Sequence, residues 1–148
     1  MVISIPIAPK VFFSSDKWTI VSLLAYLLFY SFLFYSVMVQ ITQKKEVSES
    51  VIYGSLSGFL LLLVLATFSF LLLDLSIMDS FLHISGDSIP SKYQQFSYYS
   101  LITLTTIGYG DITPVSEQAR LLAGFWGVVS QFYMVAIVGI IISKYTSK

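Results

Sequence analysis

The seven residues T-T-I-G-Y-G-D, at positions 105–111, are the most informative stretch of the chain. Gly108 and Gly110 flank Tyr109, two threonines precede them and an aspartate follows. Glycine reaches positive φ without steric cost, so alternate glycines permit a backbone that residues with side chains rarely adopt. In such a backbone successive carbonyl groups can point to one side, while Ile107 and Tyr109 pack on the other. Whether the stretch is an ordinary glycine turn depends on what surrounds it.

Composition indicates a membrane protein. Of the 148 residues, 56% are hydrophobic and 11% are charged, whereas a soluble globular domain carries about 25% charged residues. The absence of cysteine excludes disulfides, thiol chemistry and cysteine-ligated metals. A formal net charge of zero offers no basic face to nucleic acid, and one histidine with eight acidic residues predicts no catalytic cluster. We therefore expect neither an enzyme nor a nucleic-acid-binding protein.

Three runs without Asp, Glu, Lys, Arg or His predict membrane-spanning helices, at residues 18–43, 50–73 and 121–143. Each run exceeds the roughly 20 residues that a helix needs to cross about 30 Å of hydrocarbon. A helix satisfies its own backbone hydrogen bonds, which lipid cannot do. The first run contains no arginine, which excludes a charged voltage-sensing helix and favours a peripheral packing or anchoring helix.

Turn signals and helix caps define the remaining segments. Pro6 and Pro9 favour extended backbone in residues 1–17, which we interpret as a loop or surface arm. Thr113 is a good N-cap and Pro114 suits the first helical position, so the last helix is expected to start there. The predicted order is a helix at about 48–78, a loop at 79–90, a short helix at about 91–105 and a last helix at about 114–145.

Small residues recur at a spacing of four in the second span. Gly54 and Gly58 are four residues apart, as are Ser50 and Gly54. Small residues at this spacing let two helices approach closely in lipid, but glycine is also simply common in membrane helices. Both interpretations stay open at this point.

The context of the glycine stretch carries a family resemblance. Residues 91–105 are too polar and too short to span a membrane, but suit a helix that enters partway and returns. T-T-I-G-Y-G-D between such a helix and a spanning helix resembles the selectivity filter of potassium channels, where carbonyl rings replace the water around the ion. The resemblance covers about residues 48–145 and is to prokaryotic-type channels with one pore loop per chain. It makes residues 18–43 an additional N-terminal transmembrane helix and residues 44–148 the ion-channel pore domain.

The resemblance implies an all-α membrane protein with three transmembrane helices, a re-entrant pore helix and a filter loop, assembled as a homotetramer. Residues 106–111, here called the predicted filter, would bind K⁺ as the transported ion, with no other cofactor. The expected ligands are the carbonyl oxygens of Thr106, Ile107, Gly108 and Tyr109 and the Thr106 hydroxyl, with Gly110 completing the ion-binding stretch and Asp111 at the outer mouth. Nonselective relatives often replace the tyrosine with aspartate, so Tyr109 favours selectivity for K⁺. Three identical subunits and membrane lipid are the expected partners.

Two features depart from the family pattern. Tyr98 and Tyr99 stand where many relatives carry tryptophan, and we expect them to form an aromatic collar. Some relatives place an acidic residue behind the filter that pairs with the mouth aspartate, but here that position is Ile102. Asp111 therefore needs another partner, and we expect Tyr99 to provide it. We also expect weaker restraint of the outer filter and altered inactivation.

Gln131 is the one strongly polar side chain inside the last span. Because lipid penalises an amide, we expect it to face a water-filled cavity below the filter, the alternative being a hydrogen bond to the pore helix. A filter loop that enters from outside places Lys44, Lys45 and the C-terminus in the cytoplasm and the N-terminus outside. We expect a multi-pass protein of the plasma membrane that conducts K⁺ passively. A weakly selective cation channel and a non-conducting regulatory subunit are the alternatives.

Overall fold

The computed structural model describes residues 16–43, 49–86 and 88–146. Three of its helices are long and apolar enough to cross a membrane, so the predicted all-α membrane class is confirmed. Residues 1–15 of the predicted arm, together with Lys44 and Lys45, lie outside the described residues. In chain order the elements are α1 (Asp16–Gln43), α2 (Glu49–Ser76), β1 (Phe81–Leu82), α3 (Ile89–Leu104), β2 (Thr113–Pro114) and α4 (Glu117–Thr146).

Helix α1 packs against α2 through aromatic rings and one close backbone approach. The rings of Tyr26 and Tyr30 both stack on Phe68, with centroids 5.7 Å apart in each case. Nearer the other end of α1, a Cβ atom at Gly54 would lie 3.2 Å from Cγ1 of the buried Ile41. The first span is therefore a packed part of this chain, as the packing interpretation predicted.

Gly58 allows the same close approach between α2 and α4. A Cβ atom at this position would overlap the hydroxyl of Tyr133, which donates a hydrogen bond to the carbonyl of Ser55. The rings of Phe34 and Phe59 flank the tyrosine ring, each with its centroid 6.1 Å away. Both glycines of α2 thus face a neighbouring helix, which supports the helix-contact interpretation of their spacing.

The short helix α3 is anchored in an aromatic cluster beside α2. Its Phe96 is fully buried against Phe81, with ring centroids 5.0 Å apart. Its Tyr99 meets Phe70 at 4.9 Å and Phe81 at 5.5 Å, both in edge-to-face geometry. Aromatic pairs of this geometry contribute about 0.5–1.5 kcal/mol beyond the area that they bury. The cluster places α3 before the predicted filter begins.

The predicted loop at 79–90 contains a strand that the sequence did not suggest. Phe81–Leu82 pairs antiparallel with Thr113–Pro114, in the register Phe81 to Pro114 and Leu82 to Thr113. The N–H of Val115 also donates to the carbonyl of Ser80 at 2.9 Å. These bonds join the chain just before α3 to the chain just after the predicted filter.

The strand pair corrects the expected start of the last helix. The helix begins at Glu117, not at Pro114, because Thr113 and Pro114 are extended in β2. Ser116 takes the N-cap role expected of Thr113, since its Oγ accepts the backbone N–H of Ala119 at 3.1 Å. Proline lacks an N–H, so its position in a two-residue edge strand loses no ladder bond that it could have donated.

Candidate functional site

The predicted filter has an alternating backbone. Positive φ occurs at Thr106 (62°), Gly108 (56°) and Gly110 (78°), and not at the residues between them. The positive φ expected of the two glycines is confirmed, and nothing in the described chain lies within 4 Å of a Cβ built on either, so conformation rather than crowding requires glycine there. Thr106 was expected only as an ion ligand; its positive φ was not predicted, although its spacing of two from Gly108 was a usable signal. Positive φ in a β-branched residue is a genuine outlier.

Backbone hydrogen bonds fold the predicted filter back onto the end of α3. The N–H of Gly108 donates to the carbonyl of Ile102, and the N–H of Thr106 donates to that of Thr103, each at 3.1 Å. These bonds satisfy carbonyls that the last turn of a helix leaves without partners. Ile102, whose side chain is buried, therefore supports the filter through its backbone.

The carbonyl groups of the same backbone are the next feature of the predicted filter. Within the described residues, no hydrogen bond ends on the carbonyl oxygens of residues 106–110. Alternation of right- and left-handed conformations directs successive N–H groups to one side of a chain, which leaves the carbonyl groups to face the other. A row of unpaired carbonyl oxygens can bind a cation, since oxygen atoms are the ligands that hard cations prefer.

The side chains of the predicted filter lack cover from their own chain. Ile107 is 51% exposed and Tyr109 is 71% exposed. Beside them is a depression of about 300 Å³ between α3, the filter and β2, with Tyr99, Thr103 and Ile112 among its lining residues. Exposed apolar side chains of this size mark a contact with another protein or with the membrane.

The expected partner of Asp111 was wrong. Its Oδ2 accepts a hydrogen bond from the hydroxyl of Tyr98 at 2.6 Å, not from Tyr99. Consecutive residues of a helix point about 100° apart, so Tyr99 turns into the aromatic cluster with Phe70 and Phe81 while Tyr98 faces the filter. The two tyrosines therefore do not form the expected collar together, because Tyr99 lies in the core and Tyr98 at the outer mouth.

The bond between these two residues shifts both of their protonation equilibria. The hydrogen bond from Tyr98 holds the pKa of Asp111 below its ordinary value of 3.8. The same bond to the carboxylate raises the pKa of Tyr98 to about 12. The donor thus stays protonated and the acceptor stays ionised across the physiological range, which keeps a negative charge beside the end of the predicted filter.

Gln131 is exposed on α4, away from the face that packs on the rest of the chain. That packed face contains Trp126, Ser130, Tyr133 and Ile137, all of them buried. Within the described residues Gln131 makes no hydrogen bond to α3, so a single chain does not support the alternative role. Its position at a water-filled cavity stays a prediction.

Comparisons with known proteins agree with this architecture. A model of the ion channel family matches residues 57–147, which is more than half of the chain. Over 62 residues the chain is 39% identical to two pore potassium channel b of Oryza sativa subsp. japonica. That match covers 42% of this chain and 16% of the rice protein, so the chain corresponds to a small part of that relative. No solved structure matches the chain. The chain belongs to the ion channel family, within the potassium channel superfamily, and is a membrane channel protein rather than an enzyme.

Proposed function

We propose that this channel conducts K⁺ passively and selectively through a pore on the axis of a homotetramer. The observation that carries the proposal is the row of carbonyl oxygens at residues 106–110, which accept no hydrogen bond from the described chain. Rings of backbone carbonyls are the ligands by which K⁺ filters replace the water around the ion. One chain supplies one such row, so a closed ring needs three further identical subunits.

The ion sites are assigned residue by residue. The carbonyl oxygens of Thr106, Ile107, Gly108 and Tyr109 are the proposed ligands, together with the Thr106 hydroxyl at the inner end. Gly110 continues the backbone to the mouth, where the ionised Asp111 raises the local concentration of cations. The exposure of Tyr109 supports packing against a neighbouring subunit, because its ring has little contact in its own chain.

The proposed membrane arrangement follows from the direction of the loop. α2 and α4 are the outer and inner helices of the pore domain, and α1 is an additional helix on its periphery. With the predicted filter at the outer end, the C-terminus is cytoplasmic and the N-terminus is outside. The plasma membrane is the proposed location, since a K⁺ pore acts on the gradient between cytoplasm and exterior.

Reconstitution in liposomes tests the function directly. With K⁺ on one side and Na⁺ on the other, we expect a reversal potential that reports strong preference for K⁺. Covalent cross-linking in the same membranes should stop at four subunits. A reversal potential near zero would identify a weakly selective cation channel, and an assembled protein that passes no ion would identify a non-conducting subunit.

A further inference from the structure

A partly buried ion pair joins α2 to the start of α3, away from the predicted filter. Nζ of Lys92 lies 2.7 Å from Oδ2 of Asp74, and it is the one ion pair among the described residues. The carboxylate side chain is 6% exposed and the ammonium side chain 23%. A charge with little access to water is costly unless it has a partner of opposite sign, so the two residues depend on each other.

The positions of the two charges are unfavourable within their own helices. Asp74 lies in the last turn of α2, which ends at Ser76, and Lys92 lies in the first turn of α3, which begins at Ile89. A helix dipole disfavours an anion at its C-terminus and a cation at its N-terminus. Neither charge is therefore explained by the stability of its own helix. Each instead faces the complementary end of the other helix, so the two charges make sense only as a pair.

The ion pair holds one end of a helix whose other end supports the predicted filter. α3 has 16 residues, which gives it a length of about 24 Å. Tyr98, in its second half, binds Asp111, and Ile102, near its end, accepts the N–H of Gly108. A rotation or shift of α3 at Lys92 therefore moves both attachment points of the filter.

Other contacts between α2 and α3 also anchor the helix, but they have less directional preference. They are mainly apolar, such as the packing of Phe70 on Tyr99, and apolar contacts have little directional preference. One buried hydrogen bond adds to them, from the hydroxyl of Thr67 to that of Ser100 at 3.2 Å. A buried ion pair is often no more stabilising than apolar residues of the same volume, and its best-attested role is to set register.

We propose that Asp74 and Lys92 are positioning residues, which set the rotation and depth of α3 and so the backbone geometry of residues 106–110. Their effect on ion selectivity rests on the proposed function, but their effect on the filter backbone does not. The geometry can therefore be tested without any measurement of ion flow.

The test uses the full channel in lipid and four variants. Asp74→Asn leaves Lys92 unpaired, and Asp74→Asn with Lys92→Met removes both charges, so that no buried charge is left alone. Asp74→Glu keeps the pair. Asp79→Asn is the matched control, because Asp79 is exposed and has positive φ, which asparagine tolerates. The first readout is hydrogen exchange at the Gly108 amide, and the second is the K⁺ to Na⁺ permeability ratio.

We expect the Gly108 amide to exchange about tenfold faster in the neutral double variant than in the wild type, with exchange in α4 unchanged. The permeability ratio should fall in the same variant, while Asp74→Glu and Asp79→Asn should match the wild type in both readouts. Wild-type exchange at Gly108 in an assembled neutral double variant overturns the proposal, whatever Asp74→Asn does. An unselective wild-type channel contradicts the proposed function instead, and the exchange data then still decide the positioning role.

Discussion

The aromatic cluster between α2 and α3 and the predicted filter are stabilised in opposite ways. In the cluster, Phe70 and Phe96 are fully buried, and ring contacts link α2, β1 and α3. In the predicted filter every residue from 106 to 111 is exposed, and backbone bonds to α3 hold its inner part. The chain thus completes its own scaffold but leaves its filter side uncovered. This division fits the proposed pore, in which several subunits share the filter.

The largest expected effect comes from a substitution in the predicted filter, which is the exposed region of the two. In Gly110→Ala, positive φ costs about 1–2 kcal/mol for a residue with a side chain, and the proposed tetramer would incur that cost in each of its subunits. We expect loss of K⁺-selective conduction, measured as the reversal potential under opposed K⁺ and Na⁺. Gly124→Ala is the control, because nothing lies within 4 Å of its Cβ and the residue is helical. Normal selectivity in Gly110→Ala would mean that φ at this residue is not critical.

For a substitution in the scaffold, we expect a loss of stability rather than a loss of ion selectivity. In Gly58→Ala the new methyl group overlaps the hydroxyl of Tyr133, and overpacking of this kind costs roughly 1–3 kcal/mol. Unfolding in denaturing detergent should show the lower free energy of unfolding of this variant. Combining the change with Tyr133→Phe removes the overlapping atom, so the double variant should lose less than the sum of the single variants. Additive losses would contradict the close contact, and Gly127→Ala, with open space around it, serves as the control.

At the outer mouth, we expect loss of the bond between Tyr98 and Asp111 to shift the pH dependence of conduction. The pKa of Asp111 is held below 3.8, so the stability from its bond is present above that pH and is lost as pH falls through the lower folded pKa. Tyr98→Phe removes the donor and lets the pKa of Asp111 rise toward its ordinary value. Acid inhibition of conduction should then begin at a higher external pH than in the wild type. Tyr99→Phe, which has no bond to Asp111, should keep the wild-type midpoint, and an equal midpoint in both variants would count against the assignment.

The smallest expected effect lies inside the scaffold. Ser100→Ala removes the hydroxyl that pairs with that of Thr67, which keeps its bond to the carbonyl of Leu63 at 2.8 Å. Hydrogen bonds between membrane helices average about 0.6 kcal/mol, so the free energy of unfolding should fall by no more than this. Selectivity should not change. A change in the permeability ratio would show that this bond, too, positions α3.

Helix positions could be predicted because composition decides them. The absence of charge over long runs predicted all three spanning helices, and the predicted boundaries of about 48–78 agree closely with α2 at Glu49–Ser76. The strand pair could not be predicted, since strands of two residues have no periodicity to detect. Because that pairing was missed, Thr113 and Pro114 were assigned to a helix that they precede.

The candidate site likewise contains some features that the sequence predicted and some that it did not. Gly108 and Gly110 were predictable, because positive φ selects glycine whatever surrounds it. The donor to Asp111 was not, because the choice between Tyr98 and Tyr99 depends on how α3 rotates against α2. That rotation is a property of packing between distant segments, which includes the pair of Asp74 and Lys92.

The pairing of Phe81–Leu82 with Thr113–Pro114 also has a mechanical consequence. It closes residues 83–112 into a loop whose two ends cannot separate while the strand bonds hold. Lateral tension that pulls α4 away from α2 is then carried across this closure and the carbonyl of Ser80, rather than along the filter backbone. The predicted filter, with its positive φ at Thr106, is thereby shielded from that tension.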